Sequence, residues 1–289
     1  MNTAELSVFP QNGNHLLFSD TVKDDLKVTD TAIQTCHFLR IGAKNASFKK
    51  CSLTQCLFED VYLRNATFTD VHLTGSTFRN CNLDKASLQG CDLRYCTFQA
   101  THLNRDEVLG NLPVEPNLKR DLARNLRKNF ESIGDKESAD IFLDIEIEAH
   151  EQELLGIFRR KTAYYRSHYS GIDQVIAGLK YLSSRFSGVV WGYGHRVHRL
   201  VASYLIITFT FALITYFCQM PFVVDAQDSV RTLDFWQSIH YAFTESLGIG
   251  TSSPSPASIG AKALQVCQGF FSPLFLALLA AAVYRRIAR

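Results

Sequence analysis

The residues of this chain best suited to chemistry are two glycines and the carbonyls around them, rather than acids or nucleophiles. The stretch Asp234-FWQSIHYAFT-Glu245 reads as a short amphipathic helix, and Ser246, Leu247, Gly248, Ile249 and Gly250 follow it as a glycine-punctuated extended run. Glycine adopts backbone dihedrals closed to other residues. Spaced glycines let successive carbonyl oxygens turn toward one axis, where they can replace the water around a dehydrated cation. One chain supplies one wall of such a ring, so several copies are needed to close it.

Other groupings fail on spacing. His150-Glu151 begins like the zinc-binding HExxH pattern, but Leu154 stands where the second His is needed. Glu146, Glu148, Glu151 and Glu153 then read as a solvated helix face, with Arg159, Arg160 and Lys161 as their expected ion-pair partners. His195 and His198 titrate near neutral pH unless perturbed. The eight cysteines include no CxxC pair. With no convergent nucleophile, base or ligand set, the expectation is a non-enzyme without cofactor or resident metal.

A carbonyl ring needs a frame in a low-dielectric medium. Two uncharged apolar runs, Leu200 to Phe217 and Ala263 to Tyr284, are each about long enough to cross a bilayer. Arg196 and Arg199 precede the first run, and Arg285, Arg286 and Arg289 follow the second. Between them Asp225, Asp228, Asp234 and Glu245 outnumber Arg231 and Lys262. The positive-inside rule puts both chain ends in the cytoplasm and the loop outside. The polar start MNTAELSVFPQNGN carries no secretory h-region, which agrees with that orientation.

With a helix and a GxG run between two spans, residues 200–288 resemble the two-transmembrane potassium-channel pore family, whose filter reads Thr-Val-Gly-Tyr-Gly. The resemblance implies a homotetramer with Ser246, Leu247, Gly248, Ile249 and Gly250 as selectivity filter. It also implies a Ser246 hydroxyl open to the innermost ion, a pore helix anchored by Trp236 and ending at Glu245, and potassium as the permeant ion. Ser246 replaces the family's Thr, Ile249 its Tyr and Thr251 its Asp. The lost Tyr hydroxyl leaves sodium admissible beside potassium. Gly269, near where the family's inner helix bends, acts with Pro273 as gate hinge or serves only close helix packing. Cys218 and Cys267, toward the outer ends of the spans, are free thiols or one disulfide.

The first third of the chain has a period of five, unbroken over sixteen units from Leu26 to Arg105. The third place is always apolar, as in Phe38, Phe48, Leu53, Phe58 and Phe68, and the first is usually small. Cys36, Cys51, Cys56, Cys81, Cys91 and Cys96 all occupy that small place, which suits buried packing. The pattern resembles the pentapeptide-repeat family and implies a right-handed quadrilateral β-helix, a rod about 20 Å long at the usual layer spacing. Ten Lys and Arg against six Asp and Glu in 26–105 is the wrong sign for that family's DNA-imitating members, so nucleic acid is not an expected partner.

Between repeat and spans, Leu118, Leu122, Leu126 and Phe130 recur every four residues, Gly134-Asp135 interrupts, and Ala139, Phe142, Ile145 and Ala149 start a second stripe. That predicts a helical hairpin. From Asp173 to Ser187 apolar and basic residues interleave ahead of Trp191 and Tyr193, a composition suited to lipid headgroups.

The expected architecture is a multidomain membrane protein: an N-terminal cap (1–25), the β-helix (26–105), an α-helical linker (106–172), a juxtamembrane helix (173–199) and a two-transmembrane-helix pore domain with a re-entrant pore loop (200–289). The expected function is a cation channel subunit in the inner (plasma) membrane, in contact with lipid. Its β-helix assembles the pore or answers a cytoplasmic regulator. The rival reading is a membrane-anchored scaffold whose repeat binds a cytoplasmic partner, and which has no need of Gly248 and Gly250.

Overall fold

The computed structural model describes residues 12–194, 197–224, 229–249 and 254–287. The filter candidate Gly250 and the titratable His195 lie outside them. The chain divides into two units, Met1–Gly178 and Leu179–Arg289.

In the first unit every fifth residue from His15 to Ala100 has a φ between +47° and +74°. These are corners. Only Gly75 and Gly90 among them are glycine, whereas eight are Asp or Asn, the residues that visit this region with least strain. A corner costs roughly 1–2 kcal/mol for other residues. Most are held by their own N–H reaching the next layer, as Asp25 N donates to Lys44 O (2.8 Å) and Asn45 N to Arg64 O (3.0 Å). Four corners close a coil, so strands pair in parallel with partners twenty residues apart: Phe18 with Phe38, Phe38 with Phe58, Phe58 with Phe78, Phe78 with Phe98.

That register stacks identical side chains. The five phenylalanines form one column with ring centroids 4.7–5.2 Å apart, and Phe48 lies 4.8 Å from Phe68 in a second. The six repeat cysteines are free and buried. The Sγ atoms of Cys51, Cys56, Cys81, Cys91 and Cys96 donate to carbonyls of the layer before, as Cys81 does to Phe58 O (3.3 Å). Ser76 and Thr101 make the same bond with hydroxyls, to Leu53 O (2.6 Å) and Phe78 O (3.1 Å). Burial pushes the Cys81 and Cys96 thiols up to about 12 and those of Cys56 and Cys91 to about 11, so none is a ready thiolate at neutral pH.

Both predicted edges of the β-helix need correction. The coil already includes Asn12–Asn14, which pairs with Ala32–Gln34, so residues 12–25 are repeat and not cap. The period is hidden there because Lys23 occupies a third place; it is exposed. At the other end the predicted linker is a lid. Helices α1 (Arg105–Leu109) and α2 (Pro116–Ser132) and the turn after α1 bring side chains to the unpaired strand edge, and α3 (Lys136–Phe158) packs behind α2. Glu107 accepts from Leu88 N (2.7 Å), Asn111 from Cys91 N (2.9 Å) and Asn125 from Phe98 N (2.7 Å). Asn129 accepts from Thr101 N (2.9 Å) and donates to Thr101 O (2.8 Å). An uncovered sheet edge invites pairing with other chains, and these four residues close it.

Leu122, Leu126, Phe130 and Phe142 continue the core of the coil without a break. Two of the acids of α3, Glu146 and Glu153, pair with α2 and not with Arg159, Arg160 or Lys161 as expected. Glu146 binds Arg124 (2.7 Å) and Arg127 (3.0 Å), and Glu153 binds Arg120. The hairpin brings α2 alongside, which spacing along one helix does not reveal. Leu154 is buried, filling the position that the abandoned zinc pattern would need for a ligand. Helix α4 (Ala163–His168) and the start of α5 (Gly171–Trp191) follow, and the boundary between the units falls inside α5.

The second unit holds α6 (Val197–Phe217), α7 (Phe235–Ser246) and α8 (Ile259–Ile287). Helices α6 and α8 are candidate membrane spans by length and composition, and most of each is left uncovered. Ile206 is 66% exposed and Val266 72%, unlike the core helices of a soluble domain. At 1.5 Å per residue α7 is roughly 18 Å long, too short to cross a bilayer. Strand Pro221–Val223 pairs antiparallel with Val230–Thr232 and Ser255–Pro256. This small sheet, absent from the sequence reading, ties the chain before α7 to the chain after it around a core of Phe222, Leu233, Tyr241 and Ala261.

Candidate functional site

Helix α7 starts at a reciprocal cap. Asp234 accepts from Gln237 N (2.7 Å) while Gln237 Oε1 accepts from Asp234 N (3.2 Å), which satisfies two end donors at once. Its inner face is Ser238, Tyr241, Ala242 and Ser246, all buried. Both apolar helices hold it. Tyr204 of α6 donates to Ser246 O and Ser246 Oγ (each 3.1 Å), and from α8 Gln265 donates to Glu245 Oε1 and Gln268 to Ala242 O.

The helix ends in a two-bond C-terminal turn. Leu247 is right-handed, Gly248 has φ +67°, Gly248 N donates to Glu245 O (3.1 Å) and Ile249 N to Thr244 O (3.0 Å). This is the helix stop that glycine serves best. Amides of Gly248 and Ile249 are therefore consumed inward, while the carbonyls of Leu247, Gly248 and Ile249 accept no hydrogen bond among the described residues. The three residues are exposed. An added Cβ at Gly248 would meet nothing within 4 Å, so only backbone conformation demands glycine there.

Three expectations change. Ser246 was to offer its hydroxyl to a cation; it is 1% exposed, and its Oγ donates to Phe243 O (3.0 Å) and accepts from Tyr204. The run after α7 is not extended from Ser246 onward, because Ser246 is helical and Leu247 and Gly248 form its cap. Trp236 is 75% exposed and edge-on to Phe235, so within one chain the anchors are Tyr204, Gln265 and Gln268 instead. The two glutamines were the available signal: polar side chains three apart on an otherwise apolar span are costly and need partners.

Helix α8 runs unbroken through Gly269 and Pro273. Pro273 lacks the N–H that would bond the carbonyl of Gly269 four residues back, so both hinge candidates weaken the same rung. A Cβ on Gly269 would meet nothing within 4 Å, and close packing within the chain does not require this glycine. Cys218 and Cys267 are free and exposed. In the first unit a cavity of about 660 Å³ is lined by Tyr95, Glu115, Arg159, Lys161, Tyr164 and Tyr165, among others.

Residues 31–107 match the family described as the pentapeptide repeat region. This segment is a pentapeptide-repeat domain. The domain is similar to solved structures of QnrB1, a plasmid-mediated fluoroquinolone resistance protein (18% identity, 30% of this chain and 53% of that chain covered, TM-score 0.21). It is similar also to Rfr23 from the cyanobacterium Cyanothece 51142 (10%, 32% and 88%, 0.17) and to HetL, involved in heterocyst differentiation regulation, from Nostoc sp. strain PCC 7120 (15%, 32% and 60%, 0.12). The chain spans about half the length of QnrB1. No curated protein matches it. The pentapeptide-repeat match stops at residue 107, well ahead of α6 to α8.

Proposed function

We propose that the chain is one subunit of a homotetrameric cation channel of the plasma membrane that conducts potassium, with both termini in the cytoplasm and the pentapeptide-repeat domain as its assembly or regulatory part. The observation that carries the reading is α7. A helix too short to cross a bilayer is gripped by hydrogen bonds from two apolar helices of spanning length, and it ends in a glycine turn with three unengaged carbonyls. Irregular backbone at membrane depth is tolerated where it lines a water-filled path.

Four copies would set Leu247, Gly248, Ile249 and Gly250 around an axis, with α8 bending at Gly269 and Pro273 as the gate. Conduction makes or breaks no covalent bond, so no catalytic group or cofactor is invoked. A cytoplasmic regulator of small size has the cavity beside Arg159 and Lys161 available.

The test is cation flux into liposomes carrying the purified full chain, under a potassium gradient and then a sodium gradient, beside Gly248→Ala. Potassium flux that the substitution abolishes supports the pore. A folded wild-type protein that passes neither ion and does not form tetramers turns the reading to a membrane-anchored scaffold.

A further inference from the structure

Helix α5 carries an apolar row that stands largely exposed. Ile172, Val175, Leu179, Leu182, Phe186 and Val189 are between 60% and 73% exposed. Their steps along the chain are three, four, three, four and three residues. That is the a/d seam of a heptad repeat, the period of helices that wind around each other. The other faces of α5 are already used, the far side at residues 174, 177 and 188 and one flank at residue 178. Ala177 and Gly178 are buried, a Cβ on Gly178 would lie 2.8 Å from the Phe158 ring, Gln174 donates to Phe158 O (2.8 Å), and Arg199 donates to Gly188 O (3.1 Å).

We infer that α5 is one strand of a parallel four-stranded coiled coil made with three further copies of this chain. The a places hold Ile172, Leu179 and Phe186, and the d places Val175, Leu182 and Val189. Two of the three d places, Val175 and Val189, are β-branched rather than Leu, which departs from the β-branched-a, Leu-d pattern of two-stranded coils. Ile176, at e and 44% exposed, widens the apolar stripe toward what a larger bundle buries. A lipid surface is a poorer occupant. Interfacial helices present a strongly basic polar face, and α5 offers Lys180 and Arg185 against Asp173, with serine at 183, 184 and 187. The choice of four over three rests on the proposed tetrameric pore, into which the chain runs through α6. The coil would hold the four copies in register.

The experiment uses the full chain in native-like vesicles, with Cys218 and Cys267 replaced by serine. Leu182→Cys places a thiol at a d position and Lys180→Cys one on the outer face. Mild oxidation is expected to link pairs of chains through residue 182 at least tenfold faster than through residue 180. Leu179→Asp with Leu182→Asp is expected to lower the detergent concentration at which the oligomer dissociates. Equal rates at 180 and 182 in a chain whose native mass is four copies overturn the coil and leave the channel reading intact. A thiol at 182 that resists both oxidation and a water-soluble maleimide, yet is reached by a lipid-soluble one, assigns the row to lipid and also overturns it. Rapid linking at 182 in a chain that passes no ions keeps the coil and removes the pore.

Discussion

The two units of this chain are built on opposite principles. In the pentapeptide-repeat domain a residue's environment follows from its place in a unit of five. The first and third places face inward, the fifth turns a left-handed corner, and the same contact recurs twenty residues on. Phe58 between Phe38 and Phe78 does nothing that Phe78 does not also do. Among the described residues of the second unit no contact recurs. Tyr204 meets Ser246 once, Gln268 meets Ala242 once, and one positive-φ glycine ends α7. A repeated lattice distributes a defect among neighbours, whereas a single-copy site has no second instance to fall back on. Stability is therefore expected to reside in the first unit and function to be brittle in the second.

The sharpest way to break that contrast is Gly248→Ala. A Cβ at φ +67° strains the turn without meeting any neighbour, so potassium flux is expected to fall by more than about a hundredfold, since a misplaced ring of carbonyls costs several kcal/mol, each 1.4 kcal/mol being tenfold. The urea midpoint of the repeat domain, followed by hydrogen exchange on the same sample, should not move. A shift there would mean that the two units are not separable as described.

Next in size is Phe58→Ala in the middle of the column, expected to destabilise the repeat domain by about 3–5 kcal/mol. Phe18→Ala at the open end removes one stacked pair rather than two and should cost about 1 kcal/mol less. Equal losses in urea denaturation would show that the layers do not share load along the column. Below that lies Asn129→Ala, which leaves the N–H and C=O of Thr101 without partners. The expected loss is about 2 kcal/mol. Faster exchange of the Thr101 amide would accompany it, together with self-association as the strand edge is uncovered.

The smallest effect is electrostatic. Hydrogen bonds from Arg94 hold the Asp92 carboxyl down to about 2 in the folded chain. A depressed carboxylate stabilises above its unfolded value near 4 and loses that contribution as pH falls from about 4 to about 2. Arg94 is half exposed, so screening limits the gain to about 1 kcal/mol or less. Asp92→Asn should flatten acid unfolding in that window, and an unchanged acid profile would show the pair to be a surface ornament.

Much of the first unit could be read from the chain because its rules are local. A period of five with a small first place and an apolar third place specifies corners, inward faces and layer pairing together. The repeat is not legible before Leu26 because Lys23, which is exposed, breaks the apolar series at the third place. The asparagines at 111, 125 and 129 carried no signal. They look like ordinary helix residues until α1 and α2 fold back over the strand edge. In the second unit the apolar lengths and the glycine at 248 were legible, while the Asp234 and Gln237 cap, the burial of Ser246 and the exposure of Trp236 were not.

Sequence alone determined the period, the identity of every inward side chain from Val28 to Leu103, the two apolar lengths and the place where α7 must stop. Each depends on neighbours a few residues apart, whose geometry the backbone transmits directly. Tertiary structure decided that Glu146 pairs with Arg124 and Arg127, that the helical hairpin is the lid of the coil, and that Tyr204 takes the hydroxyl of Ser246. Those partners are 22, 19 and 42 residues apart. Their meeting depends on how whole helices are packed, which no short-range preference encodes.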